Sequence, residues 1–214
     1  DVNASEYRFA PVDRGTIRYG LGAVKGTGEQ AVIAILKARE AGGHFKDLFD
    51  FCRRVDKRTV NRRTIEALIR AGAFDVLDDH RARLLASVGI AMEAAEQAER
   101  NCMQVSLFDL LEATDEEAAA HGPKYVEAPR WNERRQLNEE KLALGFYFSG
   151  HPFHAVRAEV AHFVRKPLAE LEARKETQLL AGLVVGVRSK ITARGKMVFI
   201  QLDDGTSTLE VSVY

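Results

Sequence analysis

Apolar residues recur every three or four positions through the first hundred residues, which is the period of amphipathic helices. Four helices are predicted there. The stripes that they would bury are, in chain order, Val32, Ile35 and Leu36; Leu48, Phe51, Cys52 and Val55; Ile65, Leu68 and Ile69; and Leu85, Val88, Met92 and Ala95. The capping-box pattern Thr27-x-x-Gln30 starts the first helix near Gly28, and Gly42-Gly43 ends it. Asn61 caps the third helix and Gly72 stops it.

Outside these helices the period changes. Residues 1–20 predict a short hairpin around the turn Asp13-Arg14-Gly15. Helical spacing returns over 132–144 and 152–165, and the second of these would bury Phe153, Val156, Val160 and Phe163. After Thr177 the period becomes two, and the predicted strands are 179–187, 197–202 and 208–213.

These elements divide the chain into five predicted segments. They are a hairpin over 1–20, a helical module over 21–100, an acidic linker over 101–130, a helical connector over 131–176 and a β-module over 177–214. The predicted fold class is α+β, a mostly helical module followed by the front of a small β-barrel. The sequence does not begin with Met, and we expect it to be a piece of a longer chain.

Composition places the chain among globular proteins, with 46% hydrophobic and 29% charged residues in 214. No apolar run approaches the ~18 residues that a membrane helix needs, so no membrane is expected among its partners. Cys52 and Cys102 form no CxxC motif, which argues against a disulfide scaffold or a zinc finger. The chemistry of the chain therefore predicts a reducing, cytoplasmic setting.

Charge is distributed unevenly along the chain, although 31 basic residues balance 31 acidic ones. Residues 53–70 contain seven basic residues and only two acidic ones, Asp56 and Glu66. Residues 93–117 contain eight acidic residues and one arginine. This asymmetry favours two surfaces with different partners. The alternative is two solvated helix faces of opposite sign.

A glycine-rich loop precedes the first helix, with four glycines between positions 20 and 28. Backbone N–H groups at such a helix start suit a phosphate. No buried parallel strand or Lys-Ser/Thr pair accompanies the loop, so nucleotide-binding motifs do not fit. Val24 followed by Gly26-x-Gly28 resembles the hairpin of a helix-hairpin-helix motif, which holds the DNA backbone without reading bases. The predicted contacts are Lys25, Gly26, Thr27 and Gly28, and the alternative is a purely structural turn.

The basic segment predicts a second group of DNA contacts. Arg62 and Arg63 follow the N-cap Asn61, where the helix dipole disfavours cations unless an anion lies nearby. Lys57 and Arg58 precede them, and Ala71-Gly72-Ala73-Phe74 resembles a degenerate second hairpin. The alternative is a solvated basic face.

One apolar island interrupts the acidic linker. Leu107 and Phe108 follow Gln104 and Ser106, which matches the Gln-x-x-Leu-Phe peptide that bacterial proteins dock on the ring-shaped sliding clamp. We therefore predict a clamp-binding peptide at Gln104, Ser106, Leu107 and Phe108. The alternative is that the two apolar residues pack on this protein itself.

The sequence offers little support for a catalytic or metal-binding site. His151-x-x-His154 lacks a suitably spaced acidic or cysteine partner, so no metal is predicted. Asp203-Asp204 fall in a turn, and Glu139-Glu140 face different sides of a helix. No arrangement for nucleophilic or acid–base catalysis is apparent from the spacing, and no catalytic residue or cofactor is expected in this chain.

Six segments, in this order, resemble the bacterial replicative DNA polymerase III alpha subunits. They span nearly the whole chain and are Asp1-Val2-Asn3-x-Ser5, residues 17–26, residues 49–52, residues 61–75, residues 144–152 and residues 202–205. The resemblance implies that 1–20 ends the fingers and that a helix-hairpin-helix module, a clamp-binding peptide and the start of an OB domain follow. The palm of that family, with its Mg²⁺-binding carboxylates, lies upstream and is absent here.

The resemblance implies a part of a DNA-directed DNA polymerase, a nucleotidyltransferase. That part would hold duplex DNA behind the active site and tether the enzyme to the clamp, with the other holoenzyme subunits as further partners. The OB domain would add single-stranded DNA through Arg188, Lys190, Arg194 and Lys196, with Phe199 as a stacking platform. An alternative function is a free-standing DNA-binding adaptor that links a repair nuclease to the clamp.

Overall fold

The computed structural model describes residues 1–103, 123–192 and 195–214. Two compact units divide these residues, Asp1–Phe146 and Tyr147–Tyr214. The division falls inside the predicted helical connector. The α+β fold class predicted from the sequence is confirmed by the helices of the first unit and the antiparallel sheet of the second.

The first unit begins with a very short β-hairpin. Strands β1 (Ala10–Pro11) and β2 (Ile17–Arg18) pair antiparallel, with Ala10 opposite Arg18. The Asp13 carboxylate accepts a hydrogen bond from the Gly15 amide at 2.8 Å and closes the turn. The predicted hairpin is therefore present.

Five helices follow in the described part of this unit. They are α1 (Glu29–Gly42), α2 (Leu48–Arg54), α3 (Arg62–Arg70), α4 (Arg81–Met103) and α5 (Glu133–Leu144). Side chains of Asp47, Asn61 and Asn132 accept a hydrogen bond from the first turn of α2, α3 and α5 respectively. Gly43 and Gly72, at φ of +73° and +77°, stop α1 and α3 in a conformation that suits glycine.

The capping box predicted at Thr27 is wrong. Gly28 is the N-cap of α1, and no side chain accepts a hydrogen bond from the first turn of that helix. The Thr27 side chain is buried instead, and its hydroxyl has no hydrogen-bond partner among the described residues. Burial of Thr27 in the hairpin therefore overrides its local capping preference.

An aromatic stack forms the centre of the first core. The rings of Phe45 and Phe74 each meet the ring of Phe51 edge-on at 4.8 Å. Asn3 ties the amino-terminal segment to this stack, because its side chain both accepts from and donates to the Phe45 backbone, at 2.8 and 2.9 Å. The predicted stripes of α1 to α3 face this core, whereas on α4 Leu84 and Ala91 are more deeply buried than the predicted Leu85 and Met92.

Ion pairs attach α5 to the rest of the first unit. The Arg81 guanidinium binds the fully buried Glu140 carboxylate at 2.9 Å and Asp75 at 2.6 Å. The Arg70 guanidinium binds Glu139 at 2.9 Å. Glu139 and Glu140, neighbours in the sequence, therefore bind two different arginines and position the end of α5.

The second unit contains a three-stranded antiparallel sheet in the order β3-β4-β5. Its strands are β3 (Leu183–Thr192), β4 (Gly195–Asp203) and β5 (Thr208–Val213), preceded by helix α6 (His154–Val160). Strand β3 begins four residues after the predicted start and runs five residues further, because residues as late as Thr192 pair with β4.

Helix α6 is shorter than the predicted 152–165. Val156 and Phe163, predicted inward, are exposed, so no core contact extends the helix past Val160. Pro167 also disfavours helical backbone at the residue before it. The prediction failed because periodicity alone does not supply a partner surface.

Asp204 holds the turn between β4 and β5. Its carboxylate accepts hydrogen bonds from the amides of Leu168, Thr206 and Ser207 at 2.8, 2.9 and 3.1 Å. Burial acts to raise the pKa of Asp204, but these hydrogen bonds and that of the Thr206 hydroxyl outweigh it and lower the pKa to about 2. Asp204 is therefore a structural anchor for the 3-10 turn at Leu168–Glu170.

Candidate nucleic-acid interface

The glycine hairpin leaves the start of α1 open to an external acceptor. Gly26 has a φ of +83°, and neither it nor Gly28 has a heavy atom within 4 Å of where a Cβ would stand. Because the N-cap is a glycine, the first amides of α1 are not capped by a side chain. Uncapped amides at the positive end of a 14-residue helix form a suitable site for a phosphate.

The start of α3 lies beside this hairpin. The Thr64 hydroxyl, in the first turn of α3, is 3.5 Å from the Gly26 carbonyl oxygen. Arg62 and Arg63 directly precede Thr64 and are both exposed. The structure thus places the helix start that carries Arg62 and Arg63 beside the glycine hairpin.

The two arginines differ in their partners. Arg62 Nε donates to the Glu66 carboxylate at 2.8 Å, but its side chain remains 62% exposed, so the pair is weak and easily exchanged. Arg63 forms no ion pair within the part of the chain that the structure describes. Both charges are therefore accessible from solvent at the start of α3.

Lys25 connects the hairpin to the end of α5. Its backbone amide donates to the Ala143 carbonyl at 2.7 Å. Its ammonium lies against Gly145, since a Cβ at Gly145 would stand 2.9 Å from Lys25 Nζ. Lys25 itself is exposed, which keeps its charge accessible to solvent.

Lys57 and Arg58 lie in a different part of the first unit. Lys57 Nζ binds Glu99 at 2.9 Å, and this hydrogen bond lowers the pKa of Glu99. Both basic residues line a cleft of about 440 Å³ against α4. Arg62 approaches α4 at Gly89, ten residues before Glu99, which corresponds to about 15 Å along a helix. The predicted basic set therefore forms two separate patches.

Other members of the basic segment have structural roles. Arg54 donates to the carbonyls of Ala38 and Gly43 at 2.7 Å, binds Asp50, and stacks on the Phe45 ring. It closes the end of α1 in this way. Part of the basic charge between residues 53 and 70 is therefore internal to the fold.

On the sheet of the second unit, register separates the predicted contacts. Arg188 pairs opposite Phe199, stacks on its ring at 4.4 Å, and binds Glu210 of β5 at 2.8 Å. Lys190 lies two residues after Arg188 on β3 and therefore shares its face of the sheet. Lys196 pairs with Ile191, which follows Lys190 and faces the other way, so Lys196 lies on the opposite face. The arginine thus covers the Phe199 ring, and Arg194 lies outside the described residues.

The predicted clamp-binding residues, Gln104, Ser106, Leu107 and Phe108, also lie outside the described residues.

Cys52 is buried in the first core, which raises the pKa of its thiol to about 12 and fits a packing role. The contact between Thr64 and Gly26 could not be predicted from the sequence, because the two residues are 38 positions apart.

Within residues 1–103, 123–192 and 195–214, no group of three or more His, Cys, Asp or Glu side chains could hold a metal ion. The His151 and His154 rings are 5.9 Å apart, with Asp203 beside His151. None of the helices in these ranges is long and apolar enough to cross a membrane.

The amino-terminal part of the chain matches a known motif family. The helix-hairpin-helix motif family matches residues 1–84, which include the Gly26 hairpin and α3. This part of the chain therefore matches the helix-hairpin-helix motif that its hairpin resembled.

The whole chain also matches one kind of protein. It is 45% identical over 213 residues to DNA polymerase III subunit alpha of Neisseria meningitidis serogroup A, and 42% identical over 219 residues to that of Vibrio cholerae. The subunit of Pseudomonas aeruginosa is 42% identical over 232 residues. Each match covers 100% of this chain but only 18–20% of the relative. The chain is homologous over its full length to a segment of the DNA polymerase III alpha subunit, and the resemblance found in the sequence is confirmed.

Proposed function

We propose that this chain holds duplex DNA behind the active site of a replicative DNA polymerase and tethers that enzyme to its sliding clamp. The observation that carries the DNA-binding part is the contact between the Gly26 hairpin and the first turn of α3. The similarity to polymerase III alpha subunits extends over the whole of this chain, and this supports the polymerase rather than a free-standing adaptor. The polymerase activity would belong to the whole enzyme, with Mg²⁺ in its palm.

The proposed binding mode follows from the chemistry of the hairpin. A backbone phosphate would accept hydrogen bonds from the uncapped amides at the start of α1, where glycines allow a close approach. Arg62 and Arg63 would supply positive charge from the adjacent helix, and Lys25 from the other end of the loop. Contacts to phosphates carry no sequence information, so binding would be insensitive to sequence.

The double variant Arg62→Ala and Arg63→Ala tests this binding mode. We expect weaker binding to unrelated duplex sequences by a similar factor, and a salt slope reduced by roughly two units because two phosphate contacts are lost. A salt titration of fluorescence anisotropy with two duplexes measures both quantities. Arg130→Ala, an exposed arginine paired with Asp79, is the matched control and should leave the slope unchanged. Unchanged affinity and slope in the double variant would refute the assignment.

The clamp-binding part rests on sequence. Leu107 and Phe108 are large apolar residues in an acidic stretch, and a pocket on the clamp would give them a place to be buried. Gln104 and Ser106 would add hydrogen bonds at the pocket rim. Each buried apolar side chain contributes about 1.5–3 kcal/mol, so the double change Leu107→Ala and Phe108→Ala should weaken clamp binding at least about a hundredfold.

Surface plasmon resonance with immobilised clamp measures this loss, and duplex binding and the thermal midpoint serve as controls. We expect both controls to stay near the wild-type values. If the double variant unfolds early, the two residues belong to a core of this protein. If it is stable and binds the clamp normally, the docking peptide lies elsewhere.

The sheet of the second unit is proposed as the front of an OB domain that contacts single-stranded DNA. The exposed Lys190 supports this, on the face that also carries Arg188 and Phe199. Arg188 would have to exchange its bond to Glu210 for a phosphate, and the Phe199 ring would become available to a base only then. The protein would act in the cytoplasm with the other subunits of the holoenzyme.

A further inference from the structure

Three aromatic rings form a row on one face of the amino-terminal hairpin. The Phe9 and Tyr19 rings meet edge-on at 4.7 Å, and the Phe146 ring lies 6.2 Å from Tyr19. Phe9 is 55% exposed and Phe146 45% exposed, so the row is accessible from solvent. Neither the helical periodicity nor the helix-hairpin-helix motif accounts for these rings.

The row is continuous with the candidate phosphate site. Gly145, which precedes Phe146, lies against the Lys25 ammonium at the start of the glycine hairpin. At the other end, Leu21 and Gly22 donate to the carbonyls of Glu6 and Tyr7, which fixes the β1–β2 hairpin to the same loop. A strand of nucleic acid held at Gly26 would therefore pass close to the aromatic row.

The charges around the row are mainly positive. Arg8 and Arg14 are exposed and form no ion pair within the described ranges, whereas Arg18 lies on the opposite face of its strand from Tyr19 and donates to the Ala4 carbonyl at 3.4 Å. The nearby Glu6 is bound by Arg39, and the Asp13 carboxylate accepts the Gly15 amide. Exposed rings beside a cation match the surfaces on which proteins stack single-stranded bases, and the Lys25 ammonium next to Phe146 complements the phosphate that accompanies each base.

We propose that the Phe9–Tyr19–Phe146 row stacks an unpaired base at the single-stranded end of the bound DNA. The adjacent Lys25, with Arg8 and Arg14, contacts the phosphates of that strand. This inference rests on the proposed duplex binding at Gly26, and it adds a preference for DNA with a single-stranded extension. The preference is independent of sequence because every base has a stacking face.

The test compares a blunt duplex with the same duplex carrying a short overhang, using the whole chain. Stacking of one base predicts about fivefold to a hundredfold tighter binding of the overhang substrate. The double variant Phe9→Ala and Phe146→Ala should lose this difference and bind the blunt duplex as the wild type does. A 2-aminopurine in the overhang should be quenched by the wild type and not by the variant.

Two control variants separate stacking from general apolar contact. Phe146→Leu keeps an apolar side chain without a ring and should lose most of the preference. Ile17→Ala removes an exposed apolar residue, 72% exposed on the same hairpin, and should retain the preference. Full preference in Phe146→Leu would overturn the stacking role.

The outcomes also separate this inference from the proposed function. If the wild type binds both substrates equally while Arg62→Ala with Arg63→Ala still weakens duplex binding, the aromatic row has no role and the proposed function stands. If the wild type binds neither substrate, both proposals are wrong.

Discussion

Glu140 lies at the point where α5 meets the turn between α3 and α4. Its carboxylate is fully buried and faces the Arg81 guanidinium, whose side chain is only 9% exposed. Burial acts to lower the pKa of Arg81, but hydrogen bonds to Asp75 and Glu140 outweigh it and raise the pKa. The pair stays ionised in the core, and removal of either partner leaves a buried charge incompletely compensated.

Glu140→Ala should therefore destabilise the first unit by about 3 kcal/mol, the lower end of the range for a broken buried pair because Asp75 still binds Arg81. Urea unfolding followed by the fluorescence of Trp131, the single tryptophan and a neighbour of α5, measures the change. Arg130→Ala breaks an exposed pair with Asp79 and should leave the stability close to that of the wild type. Equal stability of Glu140→Ala and wild type would show that the pair does not anchor α5.

The helices of the first unit show what a sequence can determine at the scale of elements. Stripes on α1 to α3 agree with the structure because each helix is bounded by a polar cap or a glycine and has one broad core to face. The helix predicted over 152–165 is shorter because Val156 and Phe163 are exposed, whereas Phe153 is buried as predicted. Local signals locate an element only where tertiary packing agrees with them.

The candidate interface was only partly predictable for the same reason. The hairpin and Arg62 could be named from glycine and charge patterns, but only the fold shows that they meet. Lys57 was grouped with Arg62 because the two are near in sequence, whereas the fold pairs Lys57 with Glu99. The pairing of Arg188 with Glu210 depends on the register of three strands, which the sequence does not specify.

The glycine hairpin before α1 gives a prediction at the scale of elements, because Gly26 and Gly28 have different backbone conformations. Gly26→Ala places a side chain at a φ of +83° and should cost about 1 kcal/mol of stability, although the space around it is open. Gly28→Ser is the matched control, since φ there is −72° and serine is a good N-cap. We expect it to be as stable as wild type or slightly more so, with weaker DNA binding, since the new hydroxyl competes with phosphate for the amides.

Thermal unfolding and anisotropy measurements on the same two variants check both expectations. A stable Gly26→Ala variant would show that the loop relaxes out of the positive-φ conformation. Undiminished DNA binding by Gly28→Ser would show that phosphate does not use the first amides of α1.

At the scale of the whole molecule, the proposed DNA contacts fall on both units. The first carries the hairpin and the basic helix start, and the second carries a small sheet with an exposed basic face. The homologous polymerase subunits are much longer, since the chain spans 18–20% of them. This arrangement favours a chain that positions DNA for a catalytic centre located elsewhere in the enzyme.

The isolated chain should therefore bind duplex DNA and fail to extend a primer. Two-metal phosphoryl transfer requires carboxylates that hold two ions about 4 Å apart, and the described residues contain no group of three acidic, His or Cys side chains that could hold even one. The three buried carboxylates of the described residues are already occupied, Asp50 by Arg54, Glu140 by Arg81 and Asp204 by backbone amides. Primer extension with Mg²⁺ and all four nucleotides measures the activity, with an intact polymerase III alpha subunit as the positive control. Anisotropy on the same primer–template confirms that the chain is bound while it fails to extend. Nucleotide incorporation by the pure chain would place a catalytic centre within these 214 residues and contradict this division of roles.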